Sequence, residues 1–466
     1  MPNTKPNIEN ATIQKANIQR IESATIPTSR LSRISKMGQL LGGVAGSMLA
    51  QGTKQLVKGQ RPNTKDLLLT PQNAKRLADH LSQLRGAAMK VGQLLSMDAG
   101  DLIPEELAII LAKLRSEAKS MPLNQLVDEL EQAWGEDWQS QFSQFSFYPV
   151  AAASIGQVHE AHTVDGRHLA LKIQYPGIKT SIDSDVDNLA SLLKLSRLIP
   201  KSVNLTPILE EAKLQLHAEA DYHYEADCLN KYREHLANDE HFTLPKVHAD
   251  LSSESILAMD FVEGVAIESR VNASQTERNF IMHQLFKLLF QEMFVFRLVQ
   301  TDPNFANYQF NPKTQRIVLL DFGATRHYSD TISNGYLNLM EAAQQHDLGK
   351  IEQAAEHIGF FSQSILPAQK AAVIELFVQA CEPLCFEGDY DFAQTDLARR
   401  IKDKGMALSL EQDYWHTPPA DALFFHRKLG GLYLLAAKLK ARVNVCQLFN
   451  ETTRDLNTLN ETVDLG

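Results

Sequence analysis

The chain has 466 residues, 44% of them hydrophobic and 22% charged, an ordinary globular mix long enough for two or three hydrophobic cores. Its four cysteines, at 228, 381, 385 and 446, are too few and too irregularly spaced for a disulfide framework or a zinc ribbon, so a reducing, cytoplasmic setting is expected. The net charge of −10 is uneven, with ten Lys/Arg against Glu9 and Glu22 in residues 1–65 (+8) and −18 on the rest; that acidic body excludes nucleic acid as a broad partner because its field repels phosphate chains.

Residues 1–30 are polar, lack sustained periodicity, and read as a disordered arm without a secretory signal. The stretch 37–53 is uncharged between Lys36 and Lys54, with Gly38, Gly42, Gly46 and Ala50 on one helical face. Its glutamines, serine and five glycines disfavour a membrane crossing. A flexible linker and peripheral membrane contact both fit it. From 73 to 98, Leu77, Leu81, Leu84, Ala88, Val91 and Leu95 follow helical spacing, with Lys90, Gly92 and Gln93 as the odd members. Ile103-Pro104-Glu105 opens another helix, and 122–134 is amphipathic.

β-like pieces follow at Ser146–Val150, Gln157–Val164 and Arg167–Gln174, then helices near 178–198 and 206–235. Two more strands are expected at 243–248 and 254–262, and the remainder is mainly helical, interrupted at 301–326. The expected division is a basic arm over 1–65, a helical extension over 66–135, a β-rich lobe over 136–263 and a helical lobe over 264–466. That is a two-lobed α+β layout, and the cleft between such lobes is where ligands bind.

Four pieces carry chemistry by their order. Lys172 closes the apolar strand Leu169-Ala170-Leu171, and Glu225 lies in the helix beyond it. Asp302-Pro303-Asn304-Phe305-Ala306-Asn307 gives Asp-x₄-Asn, and Ile317–Leu320 is an apolar strand ending in Asp321-Phe322-Gly323, fourteen residues after Asn307. Strand Lys, helix Glu, Asp-x₄-Asn and Asp-Phe-Gly are the protein-kinase series in its order. In that arrangement Lys172 neutralises nucleotide phosphates while an ion pair to Glu225 holds it. Asn307 and Asp321 offer oxygen ligands to Mg²⁺, which prefers hard donors. Asp302 accepts or orients the proton of the attacking hydroxyl or water.

The departures are equally specific. Where a kinase has a Gly-rich loop, this chain has Ala151-Ala152-Ala153-Ser154, and each alanine adds a Cβ where backbone N–H groups would close on phosphates. Gln300-Thr301 replace the usual His-Arg, and no Ala-Pro-Glu follows Asp-Phe-Gly, so an ordinary peptide-docking platform is not expected.

These motifs are similar to those of the UbiB/AarF-type atypical kinases linked to ubiquinone (coenzyme Q) biosynthesis. The resemblance runs from about 75 to 455 and is closest to the branch containing the mitochondrial members. It rests on Lys90-Val91-Gly92-Gln93 (K-x-G-Q), the Ala-rich segment 151–159, Glu219-Ala220-Asp221 (E-x-D), and the segments at 172–178, 301–304, 321–326 and 426–431. It implies a two-lobed protein-kinase-like fold with an N-terminal helical extension packed over the cleft, in which Lys90, Gly92, Gln93, Glu219 and Asp221 have a covering, regulatory role. It further implies ATP binding at 151–154 and Lys172, and ATPase activity or phosphoryl transfer to a small-molecule or lipid acceptor. The partners it implies are a lipid or quinone precursor, quinone-biosynthesis enzymes and a membrane surface, with peripheral attachment to the inner membrane. A nucleotide-binding pseudokinase scaffold is the alternative.

An otherwise apolar helix places Lys90 in need of a carboxylate, and Glu219 and Asp221 are the candidates. On an ideal helix Asp221 and Glu225 share a face and Glu219 lies about 120° away. Cys381 and Cys385 read as core. Phe286, Phe290 and Phe294 read as a packed helical face, His217 and His223 as hydrogen-bonded to nearby carboxylates. His426–Gly431 reads as an anionic lipid or ligand contact, or as a helix N-terminal surface or packing element.

Overall fold

The computed structural model describes residues 86–88, 90–92, 120–196, 205–361, 363–410 and 418–463. The basic arm, the Gly-rich stretch, Gln93 and the helix expected at Pro104 lie outside the described residues. Residues 86–88 and 90–92 are helical and buried.

The first lobe contains α1 (Leu123–Trp134), β1 (Phe142–Phe145), β2 (Ala151–Ala152), β3 (Gly156–Thr163), β4 (His168–Gln174), α2 (Ile178–Ser196), α3 (Thr206–Glu219), α4 (Tyr222–His235), β5 (Phe242–Thr243) and β6 (Ile256–Asp260). Its antiparallel sheet runs β1-β3-β4-β6, with β2 also paired to β3. Period-two alternation on β4 sorts its side chains between the two faces. Leu169, Leu171 and Ile173 pack with Leu126, Leu130 and Trp138 under α1, and Ala170 and Lys172 face the cleft.

The second lobe opens with β7 (Val265–Ala266) and α5 (Gln275–Phe290). The latter runs into a π-helical turn, Gln291–Phe296, and Arg297, at φ 50°, redirects the chain into β8 (Leu298–Gln300). Next come β9 (Tyr308–Asn311), β10 (Arg316–Leu319) and β11 (Thr325–His327), which pairs with β8. β10 joins β9 antiparallel and β5 parallel. The remainder is α6 (Asp330–Gln344), α7 (Leu348–Ile358), α8 (Pro367–Ala380), α9 (Glu382–Cys385), β12 (Tyr390–Asp391), α10 (Leu397–Leu410), α11 (Ala420–Leu439), β13 (Arg442–Val443) and α12 (Val445–Val463). Phe286, Phe290, Phe294 and Cys381 are buried in its core. Among the described residues no helix is long and apolar enough to cross a membrane.

Three element expectations need correction. The single helix over 206–235 is two, α3 and α4, because the Asp221 carboxylate accepts from Tyr224 N at 3.1 Å and caps a fresh start. Asp221 is therefore an exposed cap, not a cleft-facing neighbour of Glu225. The strand placed at Ser146–Val150 is instead the gap between β1 and β2, where Pro149 has no N–H to donate. The strand expected over 243–248 stops at Thr243 ahead of Pro245, leaving one isolated bridge, Val247 to Met259.

Candidate active site

β4, α4 and the end of β10 converge on one buried charge cluster. Lys172 Nζ lies 2.8 Å from both carboxylate oxygens of Glu225 and 3.5 Å from Asp321 Oδ2. Burial alone would lower the Lys172 pKa, but Asp321 and Glu225 outweigh it and hold the ammonium well above its ordinary value. Burial likewise pushes the Glu225 carboxyl up against the pull of Lys172, so the pair retains its proton through neutral pH. Asp321 moves the other way. Burial works against its charge, yet Lys172, the Gly323 N–H at 3.1 Å and Lys90 together hold it below the usual carboxylate range.

Asp302 and Asn307 stand on the loop between β8 and β9. Asp302 Oδ1 accepts from Asn304 N at 3.2 Å, and Asn304 Oδ1 accepts from Ala306 N at 3.2 Å; these Asx turns fold the loop on itself. Asn307 is buried, and its backbone carbonyl accepts from Leu320 N at 3.2 Å, tying it to Asp321. A cavity of about 740 Å³ opens in front of them, lined by the Ala151–Ser154 segment, Ala170, Lys172, Glu219, the chain at 260–264, Asp302, Asn307 and Asp321. That is the size of an ordinary small-ligand site. Asp321 and Asn307 present hard oxygen donors at its inner end, a set suited to Mg²⁺ rather than to a softer ion.

One wall is charged from above. Lys90, buried in its helix, forms an ion pair with Glu219, whose other oxygen accepts from Ser154 Oγ at 2.5 Å. Burial opposes the Lys90 charge, but Glu219 and then Asp302 outweigh it and raise its pKa. A helix residue, an Ala-rich turn residue and the end of α3 thus meet at Glu219. Gly92 is buried beside Lys90, while Gln93 lies outside the described residues.

The turn from β2 to β3 is tight. Ala153 N donates to Gly156 O at 2.9 Å. A Cβ on Gly156 would stand 2.3 Å from Ile173 O, so only glycine allows β3 and β4 to close there. Ala151 and Ala152 are exposed toward the cavity mouth, and Ala153 is half-buried.

The reading of His426–Gly431 as a surface element is corrected: it lies mid-helix in α11, with Arg427 and Lys428 buried. Lys428 Nζ lies 3.0 Å from Glu292 Oε2 and 2.8 Å from Gln300 O, directly beneath the Asp302 loop. Sequence reasoning missed Glu292 and Tyr232, whose hydroxyl stands 2.8 Å from Glu292 Oε1 and from Gln300 N. The partial signal was Glu292, a lone acid within an apolar helical run; Lys428, which follows His426 and Arg427, carried none. Phe322 also packs on Tyr232, with ring centroids 4.8 Å apart.

Away from the cleft, Glu160, His162 and His168 form a compact group of metal-ligating type. The two imidazoles are stacked 4.2 Å apart at 11°. Their in-plane lone pairs run side by side rather than converging, and His168 Nε2 is already 2.7 Å from Glu160 Oε1, so the group reads as a ring stack and a hydrogen bond. His217 is 3.1 Å from Asp183.

Residues 113–355 match the family described as the ABC1 atypical kinase-like domain. The chain is 36% identical over 435 residues to the mitochondrial atypical kinase COQ8 of Saccharomyces cerevisiae, covering 92% of this chain and 86% of that one. It is 35% identical over 435 residues to the mitochondrial atypical kinase COQ8B of Rattus norvegicus, covering 93% and 82%. The solved structure of Rv3197 from Mycobacterium tuberculosis, in complex with erythromycin, is similar in fold, with a TM-score of 0.56, 24% identity, and coverage of 82% of this chain and 95% of that one.

Proposed function

The chain belongs to the ABC1 atypical kinase-like family and has its kinase-like fold, and on that premise we propose that it is an ATP-dependent phosphotransferase or ATPase supporting ubiquinone biosynthesis. The observation that carries this reading is the convergence of Lys172, Glu225 and Asp321 within 3.5 Å at the inner end of the cavity that Asp302 and Asn307 also line. A pure scaffold has no physical need for all five.

Lys172, straightened by Glu225, meets the nucleotide phosphates. Asp321 and Asn307 would hold Mg²⁺, which when bound offsets phosphate charge. Asp302, on the loop facing Lys90, takes or aligns the acceptor's proton. The acceptor is water or a small-molecule or lipid hydroxyl, since the Lys90 helix stands over the cleft near Asp302. A phenolic quinone precursor is the acceptor the resemblance favours, and the setting is the face of an inner membrane among quinone-synthesis enzymes.

The second reading, a nucleotide-binding pseudokinase scaffold, is favoured by one observation. Glu219 is engaged by both Lys90 and Ser154, which ties the Ala-rich turn to the covering helix. Turnover separates the two. ATP hydrolysis by the full chain is measured with Mg²⁺, with and without anionic liposomes and a phenolic precursor. The enzyme reading expects turnover that Asp321→Asn lowers at least about 100-fold, as removal of a preorganised charge does. No turnover in any arm gives the case to the scaffold.

A further inference from the structure

A kinase catalytic loop is normally preceded by His-Arg, and here Gln300-Thr301 stand in that place. The loop nonetheless has a buried anchor. Lys428 arrives from α11, more than a hundred residues later in sequence, and its ammonium donates to three acceptors: Gln300 O at 2.8 Å, Gln300 Oε1 at 3.2 Å and Glu292 Oε1 at 3.3 Å. The side chains of Lys428 and Glu292 are 3% and 1% exposed. The burial cost of such a pair is offset by the hydrogen bonds around it: two of the three from Lys428 go to Gln300, which leads into Asp302, and Glu292 Oε1 also accepts from the Tyr232 hydroxyl, while Glu292 Oε2 lies 3.0 Å from Nζ with no hydrogen bond of its own among the described residues. Tyr232 closes the set by accepting from Gln300 N at 2.8 Å. Both backbone polar groups of Gln300 are therefore held by side chains from other helices.

The same anchor reaches the other end of the loop. With its Oε1 turned to Lys428, Gln300 lines a small, partly open pocket of about 10 Å³ together with Glu292, Asn307, Tyr308 and Asp321. Asn307 Nδ2 is buried, and neither it nor Gln300 Nε2 has a partner among the described residues.

We infer that Lys428, held by Glu292, is a positioning residue that clamps Gln300 and so fixes where Asp302 and Asn307 stand. It takes the place of the missing His-Arg. This inference rests on the phosphotransferase reading for its consequence, though not for its geometry.

The test uses the full chain. Lys428→Met alone leaves Glu292 as an unpaired buried charge and is at risk of not folding, so the working variant is Lys428→Met with Glu292→Gln, alongside Lys428→Arg. The first readout is amide hydrogen exchange over 298–308 against 156–174. The clamp predicts exchange at 300–307 at least tenfold faster in the double variant, no change over 156–174, and partial recovery in Lys428→Arg. The second is Mg²⁺ titration of binding to a fluorescent ADP analogue, where the Mg²⁺ midpoint rises at least tenfold while metal-free affinity is unchanged. Loop exchange equal to the unmodified chain, with only a lowered Tm, overturns the clamp and leaves a structural ion pair. An unmodified chain that binds no nucleotide with Mg²⁺ overturns the phosphotransferase reading instead, and the exchange measurement still decides the clamp.

Discussion

At the scale of single residues, the methyl of Ala153 has the most direct bearing on the nucleotide. Its N–H is spent within the turn, donating to Gly156 O at 2.9 Å, and its Cβ borders the cavity. Ala153→Gly removes that carbon and allows the backbone to swing toward phosphate. Nucleotide affinity should rise about threefold or more, on the order of 0.6 kcal/mol, in a direct titration; equal or weaker binding rules out the crowding argument. The meeting of Lys172 with Asp321 was legible because the motif order fixes residue type and the strand period fixes the face. The partner of Lys90 was legible only as a choice between Glu219 and Asp221. A helix break that periodicity does not reveal decided it: Asp221 is used as a cap by Tyr224 N, which leaves Glu219 to the lysine.

At the scale of elements, α11 forms the floor of the Asp302–Asn307 loop. A Cβ on Gly431 would stand 2.7 Å from Pro303 Cβ, and Pro303 follows Asp302 directly. Gly431→Ala must push the helix and loop apart, an overpacking that costs about 1–3 kcal/mol. Its neighbour Gly430 has nothing within 4 Å of the added carbon, so Gly430→Ala should hold or slightly raise Tm through helix propensity. Thermal unfolding and turnover of the two variants check this: Gly431→Ala lowers both, and equal behaviour of the two alanines refutes the floor. Sequence pattern could show β4 and α1, whose periods are local. It could not show that Lys428 belongs with Glu292, 136 residues earlier, because a buried charge pair is set by tertiary packing and its members look like surface residues one at a time.

At the scale of the whole molecule, two charge effects act on different parts of the chain. The helical lobe carries an acid-sensitive histidine. His426 stacks on Phe360 at 5.5 Å and lies 2.8 Å from the Tyr336 hydroxyl, and burial pushes its pKa down to about 4. The unfolded chain takes up this proton near pH 6.5 and the folded chain does not, so the histidine's contribution is complete above 6.5 and is lost as pH falls toward 4. The slope reaches about 1.4 kcal/mol per pH unit, at most about 3 kcal/mol in all. Denaturant unfolding at pH 7.5 and 5 should show the loss, and His426→Gln should flatten it; an unchanged slope assigns acid sensitivity elsewhere.

The other effect is the division of charge with which the chain begins. Residues 1–65 carry +8 and the remainder −18, so an anionic bilayer attracts one end and repels the other. Basic residues at 30, 33, 36, 54, 58, 61 and 65 bracket the uncharged stretch 37–53. Each contributes on the order of 1 kcal/mol near an acidic surface, enough together to hold a protein whose described residues include no membrane-crossing helix. A bilayer is a better counterpart than nucleic acid, because a polyanion long enough to meet the basic end also meets the acidic body, whereas a flat surface is met by one end alone. Removal of residues 1–65 should release the protein from anionic liposomes in a flotation assay, and raising ionic strength should weaken the intact chain in the same way. Undiminished, salt-insensitive flotation of the shortened chain would place the contact on the kinase-like body and overturn the division.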